Sequence, residues 1–498
     1  MNHRSYPASL RTVTLTMTMK MTMKMTMTAL AASMLAASAV AATPGNDAAA
    51  LVKIRNAALA SDWAWERVAD MTDLIGPRLS GSAGASAAVT QVADAMRKLG
   101  ATVTLQPVKV PQWVRGLESA ELVEYAGRPA GLSQKVVLTA LGGSGATPAA
   151  GLTAQVIVVH DFEELKARAA EVKGRIVLFD VAFDQQMAEH GQAGQAYGQA
   201  VQYRGMGTRV AAEMGAAAAL VRSVGGADFR LPHTGSSGLR DGARIPAAAV
   251  SSEDAMLMTR LAKRGALSMH LTLTPQTLPD ADSFNVIADL PGTDKPDEIV
   301  IVSGHLDSWD LATGANDDAT GVASAMAVID TLKKLDFRPR RTIRVIAWAN
   351  EENGGRGAQA YLDANKAMTE KHIAAIENDE GSGRVFGMRT SVGVEAMKQF
   401  DGLKAALLPM GAAALQRVDV LGTGDLHGLE AAGVPSFAPL IDESTYFNYH
   451  HTAADTLDKV KPEDLRRHVA VMALTTWYLA NMEQPIGRAN VPQGGRGR

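Results

Sequence analysis

Four short polar clusters share one feature: each follows an apolar run of strand length. Gly304-His305-Leu306-Asp307 follows Glu298–Val302, and Asn350-Glu351-Glu352 follows Thr342–Ala347. Asn378-Asp379-Glu380 follows His372–Ile376, and the run to Tyr449-His450-His451-Thr452 comes after Ser436–Leu440. A further acidic pair, Asp317-Asp318, opens a helical stretch, Ala319–Leu335. In open α/β sheets, sites form beyond the carboxyl ends of the strands, so these clusters are expected to meet at one edge. Singly, each has an ordinary structural reading: a helix cap for Asp317 or Asp318, a solvated loop for the Glu pair, a turn for Asp379, packed or surface rings for the histidines. It is the convergence that points to chemistry.

His305, Asp317, Asp379, His451 and one of the two glutamates make two imidazoles and three carboxylates, a donor set suited to zinc. A catalytic zinc takes about three protein ligands and keeps a position open. Five suit two ions ~3.5–4 Å apart that share a carboxylate and a water, with Asp317 the candidate for the shared ligand. Asp307 is placed to accept the free ring N–H of His305, and Asp455 that of His451. Successive side chains of an extended chain diverge, so one glutamate of the pair binds metal while the other takes the proton from the metal-bound water. Competing influences near two dications leave the pKa of that base open.

Such residues need a scaffold. Trp63–Val108 has a helical pattern in which Ala85–Leu99 carries apolar positions at helical spacing and Gly100 stops it. Residues 118–275 are β-rich, with strands expected at Gln155–Val159, Arg175–Phe179 and Ala247–Val250, an alanine-packed helix at Thr208–Ala219, and a long exposed loop over 186–207. From Ser283 onward strand and helix alternate, the signature of a mostly parallel sheet covered by helices. The reading is one α/β domain, mixed but mostly parallel, made of 42–117 and 276–484, with 118–275 inserted. Three serial domains are the alternative, weakened because Trp63–Val108 is small for a core of its own. Pro485–Arg498 is Gly/Arg/Pro-rich and reads as a frayed tail.

The 498 residues suggest two or three domains. A hydrophobic share of 47% against 20% charged is an ordinary globular balance. The net charge of −3 gives no indication of a nucleic-acid or acidic-membrane partner. There is no cysteine, which excludes disulfides, a lipidated cysteine anchor, a thiol nucleophile and zinc–thiolate sites. Residues 1–41 hold Arg4, Arg11, Lys20 and Lys24 and no acid, then the small apolar run Ala29–Ala42 with Ala39-Val40-Ala41 near its end. That is a secretory leader pattern, too short for the ~20 residues of a spanning helix. Export to the periplasm or medium is expected, with no stable membrane anchor. Cleavage removes four positive charges, taking the net charge from −3 to −7.

Ser303-Gly-His-Leu-Asp-Ser-Trp-Asp310, Gly314-Ala-Asn-Asp-Asp318, Glu351-Glu-Asn-Gly-Gly-Arg-Gly-Ala358, Gly433-Val-Pro435 and His450-His-Thr-Ala-Ala-Asp-Thr456 together resemble the carboxypeptidase Q group of the co-catalytic zinc aminopeptidase/carboxypeptidase family. The likeness extends to Val201-Gln-Tyr-Arg204, Pro232-His-Thr-Gly235 and Asp282-Ser-Phe-Asn285, and covers roughly residues 60–484. The ligand intervals, 12 residues from His305 to Asp317 and 27 from Glu352 to Asp379, also fit. The resemblance implies two zinc ions per chain, one on His305, Asp317 and Asp379, the other on Asp317, Glu352 and His451. It implies Glu351 as general base and Tyr446 near the substrate, helping to hold an oxyanion. It makes 118–275 similar to a protease-associated domain, with Lys173-Gly-Arg-Ile-Val-Leu-Phe-Asp180 as a typical strand. Short peptides, notably dipeptides, are the implied substrates, and a homodimer the implied assembly.

Departures are modest. Arg356 stands where a small or apolar residue is common and puts a cation near the site, where it is one candidate to meet a peptide carboxylate. Asp425-Leu426-His427 follows the pattern only in part, and His427 reads as supporting rather than ligating. An aminopeptidase on the same site remains an alternative. A one-zinc glutaminyl-cyclase-like acyltransferase is disfavoured by the full five-ligand set, and a non-catalytic binding protein by the intact ligands and base.

Overall fold

The computed structural model describes residues 45–239, 244–422 and 424–489; the leader expected over residues 1–41 lies outside them. Three helices come first: α1 (Ala48–Leu59), α2 (Trp63–Leu74) and α3 (Ala83–Lys98). In α3, Ser82 accepts the Ala85 N–H as N-cap, and Ala85, Ala88, Val89, Val92 and Met96 form the buried stripe that its 3.6-residue period predicts.

The chain enters a first sheet on β1 (Thr102–Val114) and then leaves it. A second sheet uses β2 (Glu118–Glu124), β3 (Gln134–Val136), β4 (Leu138–Ala140), β5 (Leu152–Val159), β6 (Ile176–Phe179), β7 (Ala218–Arg222), β8 (Ala247–Val250) and β9 (Ser268–Leu273). The chain returns on β10 (Gln276–Leu290). It completes the first sheet with β11 (Lys295–His305), β12 (Arg341–Trp348), β13 (His372–Glu377), β14 (Val385–Thr390), β15 (Ala414–Arg417) and β16 (Ser436–Ile441). The first sheet runs β1-β10-β12-β11-β13-β16-β14-β15. Its middle strands β12, β11, β13 and β16 are parallel, so their carboxyl ends share one edge. β10 is antiparallel to β1 and β12, and β14 to β16, which makes the sheet mixed.

The middle strands are apolar on both faces because both are covered. One face packs against α1 to α3, α4 (Thr320–Lys334) and α5 (Pro462–Asn481). The other carries Ile299, Ile301, Ile346 and Trp348 against Tyr361, Leu426 and Leu429. Fully buried parallel strands read as continuous hydrophobic runs, as Ile299–Val302 does.

The second sheet, β3-β2-β9-β5-β6-β7-β8-β4, is parallel across β5 to β8. Trp309, from the loop after β11, packs into its core. Gly142 makes room: a Cβ there would come within 2.1 Å of the indole. Arg115 ties the sheets together, pairing with Asp310 at 2.6 Å and Glu118 at 2.8 Å and donating to Thr234 Oγ1.

Three local expectations are corrected. Thr208–Ala219 is helical only over Thr208–Glu213; Ala218 and Ala219 already belong to β7, because parallel pairing with β6 overrides alanine's helix propensity. The expected loop 186–207 is instead helical over Gln185–Glu189 and Ala193–Gln202, running on into a π turn at Tyr203–Gly207. Ala193 packs there beside Tyr446 and Phe447, a burial that composition does not reveal. The tail's first residues are docked: Ile486 and Ala489 are buried, and Arg488 donates to the carbonyls of His372 and Ala432.

Candidate metal centre

His305 is the last residue of β11 and is 1% exposed. Its N–H donates to Asp318 Oδ2 at 2.9 Å, and its Nδ1 meets the carbonyl of Asp307 at 3.0 Å. That leaves Nε2 facing Asp379 Oδ1 at 3.0 Å and Asp317 Oδ1 at 3.1 Å. Asp379 lies just beyond the end of β13.

Asp317 sits in a one-turn π segment, Ala315–Ala319, between β11 and α4. The loop around it is held by two other acids. Asp455 accepts the N–H groups of Asn316 at 2.8 Å and Asp317 at 3.0 Å, and Asp318 Oδ1 accepts that of Gly321 at 2.9 Å. The Asp317 carboxylate accepts no main-chain N–H and faces the histidine rings, while Asp318, which also lies with His305 and Asp379, is hydrogen-bonded to main chain through both oxygens. The second oxygen of Asp317, Oδ2, lies 3.1 Å from His451 Nε2, and Glu352 Oε2 lies 2.9 Å from that same nitrogen. The two oxygens of Asp317 therefore face two different histidine–carboxylate pairs.

Asn350 and His451, beside the glutamates and in the final loop, have φ of 68° and 57°. Non-glycine residues seldom occupy this region, and such strain gathers at functional sites.

The support of the two rings differs from expectation. His305 Nδ1 is held by the main-chain oxygen of Asp307; the Asp307 carboxylate is 3.9 Å away and instead accepts Ser80 Oγ at 2.7 Å and the Glu351 N–H at 3.1 Å. Asp455 is occupied by the Asn316–Asp317 loop, and the oxygen facing His451 Nδ1 is the Thr234 carbonyl, at 3.3 Å. A backbone carbonyl satisfies an imidazole N–H as a carboxylate does, without adding charge.

Charge is concentrated here. Burial opposes a proton on His305, but Asp379 and Asp317 outweigh it and hold its pKa well above the usual value. His451 is raised in the same way against burial, by Glu352 and Asp317. The Asp317 carboxyl is held well below its usual range, because His450, His305 and His451 outweigh its burial. Burial, then Asp317, pushes Glu352 to about 7. Burial and then Asp379 raise Glu351 well above its usual value.

The residues fit a cation. Glu352 Oε1 is buried and accepts no hydrogen bond among the described residues, an expensive state for a carboxylate oxygen, and Asp317 Oδ2 meets the ring nitrogens of His451 and His450. Donor atoms of His305, Asp317 and Glu352 lie within 4.8 Å of one another. Imidazole nitrogen and carboxylate oxygen without thiolate is a borderline donor set that zinc accepts.

Glu351 and Glu352 line a cleft of about 730 Å³ with Gly354, Arg356, Trp113 and Ser236, so the second sheet supplies part of its wall. Arg356 is ion-paired to Asp280. Arg244 also lines the cleft and meets Thr277 Oγ1. Tyr446 is buried next to the His450 ring, and burial followed by Asp317 and Asp379 keeps its phenol pKa well above the ordinary value. His427 is exposed at a helix start, outside the cluster. Asp425 is buried near it, its carboxyl raised by burial and by Glu377 and Glu351.

Several supporting residues escaped the sequence reading. Arg78 is fully buried and donates to the carbonyls of Leu306, Thr313 and Gly314, holding the loops that carry Asp307 and Asp317. A lone arginine before a helix gives no periodic or spacing signal. His233 and Arg204 lie in the runs 232–235 and 201–204, which the family resemblance flagged without a role.

Residues 285–476 match the profile of peptidase family M28. Carboxypeptidase Q of Homo sapiens is 34% identical over 452 residues, 90% of this chain and 92% of that protein. Carboxypeptidase Q of Xenopus laevis is 35% identical over 432 residues, 86% of this chain and 88% of that protein. Among solved structures, a peptidase M28 precursor from Shewanella amazonensis SB2B superposes with a TM-score of 0.82 at 36% identity, covering 88% of this chain and 98% of that one. A zinc aminopeptidase from Bacillus subtilis shares the fold, with a TM-score of 0.60 at 19% identity over 86% of this chain and 98% of that one. Fold and relatives define a hydrolase of the zinc metallo-exopeptidase class. Within that class, the chain belongs to peptidase family M28 and is similar along most of its length to carboxypeptidase Q.

Proposed function

We propose that this chain is an exported two-zinc exopeptidase that hydrolyses short peptides, with dipeptidase or carboxypeptidase specificity. The observation that carries the two-ion reading is the placement of the Asp317 oxygens, one toward His305 and Asp379, the other toward His451 and Glu352. His305, Asp317 and Asp379 would hold one ion; Asp317, Glu352 and His451 the other. Zinc bound there supplies Lewis-acid polarisation of the scissile carbonyl and acidifies the attacking water.

The chain's own groups do the rest. Glu351 lines the cleft, and its main chain is anchored by Asp307. Its carboxylate accepts a proton from the attacking water and returns it to the leaving amine. Tyr446, whose raised pKa keeps the phenol protonated, donates to the developing oxyanion. The wall contributed by the second sheet favours short substrates over folded proteins.

One observation favours an aminopeptidase as the second reading: Arg356, the cation first considered for a peptide carboxylate, already has Asp280 as its partner. A panel of unblocked dipeptides, C-amidated peptides, N-acetylated peptides and aminoacyl-nitroanilides, run with metal analysis, separates the two. Loss of activity on C-amidated peptides supports the dipeptidase or carboxypeptidase. Undiminished cleavage of nitroanilides with refusal of N-acetylated peptides establishes the aminopeptidase. The reading of residues 118–275 as a protease-associated domain and that of a homodimer rest on the family resemblance; size-exclusion chromatography with light scattering tests the latter.

A further inference from the structure

The imidazole of His451 is held from behind by the region of the second sheet. Thr234 clasps the residue through main chain and ring: its N–H donates to the His451 main-chain carbonyl at 2.9 Å, and its own carbonyl faces His451 Nδ1 at 3.3 Å. The same carbonyl accepts Arg204 Nη1 at 3.0 Å and faces His233 Nδ1 at 3.0 Å. Three side-chain nitrogens thus converge on one main-chain oxygen. The His233 ring then reaches His450, Nε2 to Nδ1 at 3.0 Å, and His450 stacks on His451 with 3.6 Å between centroids.

Arg204 is the unusual member. It is nine-tenths buried; among the described residues its Nε has no hydrogen-bond partner and no carboxylate pairs with it, and its contacts include the Thr234 carbonyl, His451 Nδ1 at 3.4 Å and the Tyr197 ring. A buried guanidinium without a carboxylate is costly to keep, so its position calls for a return elsewhere. The backbone opposite is fitted to it: a Cβ on Gly235 would lie 2.2 Å from the guanidinium carbon. Thr234 is fixed on its other side by Arg115, through its hydroxyl.

We propose that Arg204 and His233 are positioning residues of the metal centre, and that the second sheet is thereby a structural part of that centre as well as a wall of the cleft. Arg204 holds the Thr234 carbonyl against His451 Nδ1 and sets its own Nη1 beside that nitrogen. Together they fix the orientation of the ring, with Nε2 facing Asp317 and Glu352. His233 holds the stacked His450 ring, which limits the movement of His451. The inference rests on the reading that His451 binds an ion.

The experiment compares Arg204→Met, His233→Leu and His451→Ala. Zinc affinity of each full-length variant is measured by chelator competition, and the visible spectrum is recorded after cobalt substitution, with thermal melts to verify folding. Arg204→Met is expected to weaken one of the two ions by about 10–100-fold and leave the other unchanged, with altered cobalt bands. His233→Leu is expected to change the same bands less. Wild-type affinity and spectrum in both variants would overturn the inference; should Arg204→Met fail to fold, a wild-type result for His233→Leu alone would do so. His451→Ala tests the underlying reading separately: it should lose one ion, and retention of both would remove His451 from the centre altogether.

Discussion

The two corners of the centre, on either side of Asp317, are built differently. The His305 corner is local. Its ring stands at a strand end, its Nδ1 is supported two residues along the chain, and its partner Asp379 follows the neighbouring parallel strand. The His451 corner is assembled from distance. Its ring comes from a loop after β16, its carboxylate from a loop after β12, and its Nδ1 support from Thr234, 217 residues away in the connection between β7 and β8 of the second sheet. A corner made of strand ends inherits its geometry from the sheet ladder. A corner made of loops must be fixed by packing and hydrogen bonds from elsewhere, and so depends on more of the molecule.

The largest effect should come from the residue the corners share. Asp317→Ala is expected to reduce zinc at both corners and abolish turnover, whereas Asp379→Ala and Glu352→Ala should each empty mainly one. Metal analysis of the three purified variants checks this. Two tightly held ions in Asp317→Ala would refute its shared role.

Glu351→Gln separates chemistry from metal binding. Both ions should remain, while kcat falls about 10²–10⁴-fold, the usual share of general acid–base catalysis. Kinetics paired with zinc content is the measurement, and wild-type turnover at full occupancy would move the base elsewhere.

Proton linkage compares the corners by pH. In the ion-free protein both His305 and His451 are held protonated above the ordinary histidine range, so zinc must displace protons at each. Affinity at both corners should therefore fall as pH drops, with protons released on binding. Calorimetry in buffers of different ionisation enthalpy reads the number released, and pH-independent binding would contradict the charge state described.

A histidine elsewhere on the same sheet is the control. His372, at the start of β13, is fully buried, and burial lowers its pKa to about 4. A depressed histidine pKa means the fold favours the neutral ring. Its stabilisation is complete above the unfolded value of about 6.5 and is lost as pH falls toward 4, up to about 3 kcal/mol. Denaturant unfolding of the zinc-free protein at pH 7 and pH 5 should show less of this loss in His372→Asn than in wild type.

How far these features could be read from sequence follows the same division. The strands that deliver His305, Glu352 and Asp379 were legible because buried parallel strands are continuous apolar runs, and the residues just past them are polar by contrast. Asp317 was legible as a candidate, since an acidic pair before an apolar helix stands out, although only the fold distinguishes Asp317 from Asp318, whose two oxygens each accept a main-chain N–H. The supports of the rings were not legible. Asp307 and Asp455 were natural guesses for the ring N–H groups, yet main-chain carbonyls, which every residue carries, took that place. Arg204 and His233 stood in recognisable runs, but their contact with His451 and His450 is set by how the second sheet docks, which no local pattern encodes. The helices at 185–202 were missed for a similar reason: their alanine and glycine composition reads as loop until the aromatic residues they cover are known.

Whether two ions share Asp317 is measured by zinc titration of the metal-free, full-length protein with dipeptide hydrolysis followed in parallel. Two zinc ions are expected to bind per chain, with full activity only as the second corner fills. Full activity with a single ion per chain, and no second binding event, would contradict that shared role.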